Sequence, residues 1–159
     1  MKRTLSTNAI AVSVLLLTLL LVSTSSAQVQ NSSNSNSIAG TWTGMWSSTQ
    51  GGPKFVLMSQ FNSDGNFNAS ETDEFAVTQG VWQRVDPRTF ALTAYQFDFP
   101  ALGQPYDGVF KVNANLKLSK DGESFSGNGH LEFRDPNGVL LFTDDAIMTG
   151  SRVHVQVGP

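Results

Sequence analysis

The sequence predicts an all-β domain, an antiparallel up-and-down meander of eight or nine strands closed into a barrel and preceded by a cleaved signal peptide. Three observations predict it. From Ile38 onward apolar residues recur with period two, the repeat of a strand that buries one face. Turn signals interrupt that alternation at short intervals, among them Asp64-Gly65, Asp86-Pro87, Asp121-Gly122 and Asn137-Gly138. No segment carries a helical stripe of useful length. Successive hairpins build a meander, and a long meander leaves two unpaired edges unless it closes, so a barrel is expected over a sandwich.

Residues 1–27 have the three zones of an export signal: basic Lys2-Arg3, an apolar run over residues 10–22, and the small residues Ser25-Ser26-Ala27. The run falls short of the ~20 residues that a membrane span needs. Cleavage after Ala27 is therefore expected, leaving a secreted or periplasmic protein with no integral span. Loss of Lys2 and Arg3 takes the formal charge from −3 to −5. That balance, with no basic cluster, argues against nucleic acid as a partner. Residues 28–37 form a polar tether too poor in apolar groups to order itself. A single domain over residues 38–157 remains. It has no cysteine, so outside the cytoplasm it must rely on packing rather than disulfides, and thiolate chemistry is excluded.

Within the domain, Trp42, Gly44 and Trp46 alternate with Thr41, Thr43 and Met45, and Phe55, Leu57, Ser59 and Phe61 alternate with Val56, Met58 and Gln60. After the turn at residues 62–65 the chain returns over residues 66–72. Residues 73–79 read as a loop or one helical turn. Residues 81–85 form a short strand and residues 89–99 a long one. Both faces of the long one are partly apolar: either Tyr95, Phe97 and Phe99 point inward, or Gln96 and Asp98 do. Residues 109–118 alternate cleanly, with Phe110, Val112, Ala114, Leu116 and Leu118 on the buried face. Residues 124–133 return, and two further segments, 139–142 and 146–155, complete the domain.

No catalytic motif is present. Asp98 is the one acid–base residue that the barrel reading offers: inside an apolar lumen its pKa would rise, which suits proton transfer. Its place at a strand end beside Pro100 favours contact with water. His130 and Glu132 share a strand face, with His154 on the last strand, but Leu131 and Phe133 claim the buried face, so no metal site is expected. The acidic pairs Asp73-Glu74 and Asp144-Asp145 lack the spacing of a calcium loop. No cofactor is expected.

Gly40-Thr41-Trp42 near the start of the domain, together with Arg152 in the last strand, resembles the calycin signature of lipocalins and fatty-acid-binding proteins. The resemblance implies a first-strand Trp closing one end of the barrel, with a basic side chain stacked on its ring, a contact worth about 0.5–2 kcal/mol. It also implies a lumen that holds a small hydrophobic molecule. The Thr-Asp-Tyr triplet of lipocalins is absent. In size and strand number the chain is similar as well to the allene oxide cyclase and dirigent barrels.

The first functional expectation is an exported binding protein whose ligand meets Tyr95, Gln96, Phe97, Trp82 and Phe110. The others are a cyclase or isomerase on the same barrel, and an exported structural or interaction module with a filled core. The small residues Gly44, Ala69, Ala94, Ala114, Gly127 and Gly129 lean toward interior room. Interior volume separates a binder from a filled module: a pocket below about 300 Å³ counts against small-molecule binding as the default reading.

Overall fold

The computed structural model describes residues 35–52, 54–72 and 76–156. The expected signal peptide, most of the tether, Asp73-Glu74 and Val157 lie outside the described residues. Eight strands form: β1 (Gly40–Ser48), β2 (Lys54–Phe61), β3 (Asn66–Glu71), β4 (Thr78–Asp86), β5 (Thr89–Asp98), β6 (Gly108–Leu118), β7 (Ser124–Arg134) and β8 (Leu140–Arg152). Each is antiparallel to the next, and β8 returns to pair with β1, which closes the barrel. The described residues contain no helix long and apolar enough to cross a membrane.

The strand number is eight because residues 139–142 and 146–155 do not form separate strands. Thr143-Asp144-Asp145 looks like an interruption in sequence, yet these residues pair with Glu132, Leu131 and His130 in a continuous ladder. The loop-or-helix stretch also shortens, since Thr78 and Gln79 already belong to β4.

One residue in two along each strand points inward, and the register aligns these residues across every ladder. Trp42 lies opposite Ser59 and Arg152, and Val112 lies between Ala94 and Leu131. The connections differ at the two ends. Short turns at residues 62–65, 87–88 and 119–123 gather at one end, while the longer connections gather at the other. In the first turn Gly65 adopts φ 91°, and Asp64 Oδ1 accepts the Asn66 N–H at 3.0 Å. A residue with a Cβ would strain that turn.

The short-turn end is packed solid. Trp42 and Phe125 meet edge to face at 5.1 Å, Phe61 and Phe67 at 4.8 Å, and Trp82 sits between Phe61 and Phe90. Ile38, Trp42 and Phe90 have no exposed surface. The indole N–H groups of Trp42 and Trp82 donate to backbone carbonyls, Trp42 to Ile38 at 2.8 Å and Trp82 to Asn62 at 3.0 Å. Several inner glycines are not room but seats for rings. A Cβ on Gly129 would meet the Trp46 ring at 2.8 Å, and Gly150 and Gly108 are covered in the same way by Phe125 and Phe133.

Arg152 seals this end. Its guanidinium carbon stands 4.2 Å over the Trp42 ring, and its three nitrogens donate to the carbonyls of Gly122, Ala39 and Ser37 at 2.9, 2.8 and 2.7 Å. Burial pulls the guanidinium below its ordinary pKa, with Glu123 opposing that shift. Arg152→Ala leaves three carbonyls without their charged donor and uncovers the indole, so unfolding in urea should show a loss of about 2–4 kcal/mol. Arg152→Lys should recover only part of it, because an ammonium lacks the planar fork.

Candidate functional site

The inner side chains change character along the barrel axis. At the short-turn end aromatic rings and Ile38 fill the lumen; toward the long-loop end a cavity of about 280 Å³ remains. Its walls are Trp46, Phe55, Phe110, Val112, Leu131 and Phe142, with Ser48, Glu71, Gln96 and Asp144 as the side chains that bring polar atoms to it. Phe110, Phe133 and Phe142 stack along one wall, with centroids 4.6 to 6.2 Å apart. At about 280 Å³ the space falls just under the size expected for a drug-like ligand. It is roughly twice the ~150 Å³ that accommodates benzene, so it suits a compact molecule of one or two rings.

The polar groups are unevenly satisfied. Thr78 Oγ1 donates to Gln96 Oε1 at 2.7 Å, and Gln96 is 6% exposed, but its Nε2 has no partner. Asp144 Oδ1 is buried without a partner as well. Among the described residues the third such atom is Ser59 Oγ, which faces Trp42 and Ala69 across the ladders, away from this cavity. A lone buried donor or acceptor costs about 1–3 kcal/mol. Both of these atoms belong to residues that line the cavity.

The alternation in β5 resolves inward as Leu92, Ala94 and Gln96, so Gln96 lines the cavity and so does Phe110. Tyr95 and Phe97 are corrected: they are 51% and 58% exposed on the outer face and do not reach the lumen. Phe97 packs on Tyr106 at 5.6 Å on the outside of the long-loop end. Trp82 is inside but belongs to the packed end, not to the cavity walls. Gly40, Trp42 and Arg152 come together at the opposite end, where Arg152 Nη1 reaches under Gly40 to the Ala39 carbonyl.

His130 and Glu132 face outward. His130 pairs with Asp145 at 2.8 Å, and Arg134 donates to Glu132 at 2.8 Å, which holds the Glu132 carboxyl below its ordinary value. Asp144 and Asp145 point to opposite faces, so they cannot share a cation. Asp144 is the site residue that sequence reasoning missed. The signal was available in its parity with Ala146 and Met148, both inward. A larger depression of about 390 Å³ lies against the outer wall along Thr93, Asn113, Asn128, His130 and Asp145. Among the described residues no unsatisfied buried side chain lines it.

Asp98 stands at the rim beside Asp107, whose N–H donates to the Asp98 carbonyl at 3.1 Å. Burial raises the Asp98 carboxyl pKa, and a hydrogen bond and charge repulsion from Asp107 raise it further. Asp98 does not line the cavity, so it does not offer an acid or base there. No protein-family model matches the chain, and no curated protein is significantly similar to it.

The Asp98 shift has a stability consequence. A carboxyl raised in the folded state supports folding fully below its unfolded pKa of about 4, and that support is lost as pH rises through the folded value. Asp98→Asn should therefore match the parent in thermal midpoint below about pH 4 and exceed it at neutral pH. Equal pH profiles for the two proteins would contradict the raised Asp98 carboxyl.

Proposed function

We propose that this chain is an exported barrel that binds a small, compact, largely apolar molecule in the cavity at its long-loop end. The observation that carries the reading is the half-empty lumen: aromatic and aliphatic walls enclose about 280 Å³, with Gln96 Nε2 and Asp144 Oδ1 buried there unpartnered. A module with a filled core has no use for either feature. The Arg152 stack on Trp42 supports a calycin-like relationship, in which that end is a plug and the other a mouth. Exposed Val77, Phe97, Leu102 and Val139 lie at the long-loop end, which suits entry of an apolar guest from that side.

The test is a nuclear magnetic resonance screen with fragments of about eight to twelve heavy atoms, a size set by the cavity. Saturable hits should shift the signals of Trp46, Val112 and Leu131. Val112→Phe, which fills the cavity, should abolish those hits while holding or raising the thermal midpoint. Hits that leave the lining signals unmoved, or that survive in a folded Val112→Phe protein, would overturn the reading.

A further inference from the structure

We propose that Trp46 sets the depth of the cavity, and that the guest it selects is a flat aromatic molecule of one or two fused rings rather than an extended acyl chain. The inference rests on the cavity being a ligand site. It adds the class of guest and the residue that determines it.

The inner face of the barrel is layered in register. Ala146, Gly129 and Ala114 stand side by side on β8, β7 and β6. One inward step toward the long-loop end come Asp144, Leu131 and Val112, and one step further Phe142, Phe133 and Phe110. The two upper layers supply walls of the cavity, but the small layer supplies none. Trp46 explains the difference. It stands on β1 opposite Met148 of β8, and its ring crosses to β7, where a Cβ on Gly129 would meet it at 2.8 Å. The ring is 8% exposed and is itself a wall of the cavity. It therefore lies over the small layer as a floor. Beneath it Met148 and Leu116 begin the packed core.

Depth follows from that floor. The run of β7 from Gly129 to Phe133 rises roughly 13 Å, and the indole takes the lowest ~4 Å of it, the width of one van der Waals contact. What remains is short, yet its volume of about 280 Å³ is broad enough for fused rings. An extended chain would have to double back or stand out of the mouth, and standing out forfeits burial. The walls favour a ring for a second reason. Phe55, Phe110 and Phe142 surround the space above Trp46. Aromatic pairs in offset or edge-to-face contact gain attraction beyond their buried area, which a methylene chain does not.

Two probes matched in heavy-atom count, each with one hydroxyl, separate the possibilities by isothermal titration on the folded protein: 2-naphthol and 1-decanol. The parent should bind 2-naphthol about tenfold or more tightly than 1-decanol. Trp46→Leu lowers the floor to Met148, so 1-decanol should gain about tenfold and the preference should close or reverse. Trp46→Phe, a smaller cut, should move the preference the same way. Gly129→Ala tests the floor without altering a cavity wall. Its methyl presses the indole off β7 into the cavity, so 2-naphthol should weaken by about tenfold in a protein whose thermal midpoint shows it folded. If the parent binds both probes alike, or every folded variant keeps the parent's preference, the inference falls while the cavity reading stands. Unchanged 2-naphthol affinity in folded Gly129→Ala overturns it in the same way. If neither probe binds the parent and neither shifts the Trp46 signal, the cavity reading falls and takes this inference with it.

Discussion

The Arg152 guanidinium stacked on Trp42 joins parts of the chain that are far apart in sequence. Its nitrogens tie the segment before β1, at Ser37 and Ala39, to the β6–β7 turn at Gly122, and its own strand is the one that closes the barrel. The Ala39 bond spans 113 residues. A neutral group there could not satisfy three carbonyls and cover an indole at once. With no cysteine in the chain, this clasp ties distant segments together without a disulfide, through packing and charge-assisted hydrogen bonds.

With one end fastened, the other end is free to differ. The rings nearest Arg152 interlock because inner glycines receive them: Phe125 lies on Gly150, and higher up Trp46 lies on Gly129. Above Trp46 the cavity opens, walled by Val112, Leu131, Gln96 and Asp144 together with the rings of Phe55, Phe110 and Phe142. The same barrel thus contains a plug and a cup along one continuous set of strands.

Most of the strand pattern was legible because period-two alternation and Asp-Gly turns are local signals. The join at residues 143–145 was not, because two adjacent acids resemble a turn when read without a partner strand. In the barrel they are ordinary strand residues, one turned to the lumen and one paired with His130. The orientation of β5 was likewise hidden, since Tyr95 and Phe97 are as apolar as the residues they alternate with. The neighbouring ladder decides it: Gln96 faces Phe110, and Ala94 faces Val112. Among the small inner residues Gly129 misled for a related reason. A glycine in sequence does not reveal whether a ring from another strand covers it.

The seam between β1 and β8 has a consequence for how the chain comes together. Every other pairing joins neighbours across a short connection, whereas Trp42 and Arg152 pair only when nearly the whole domain lies between them. By loop-closure entropy that contact costs roughly 2–3 kcal/mol more than a hairpin of a few residues. A chain made from its N-terminus must hold β1 in waiting until β8 exists, with both edges open in the meantime. The residue that completes the last strand is the one that carries the clasp, so the seam is locked by the same segment whose arrival makes it possible.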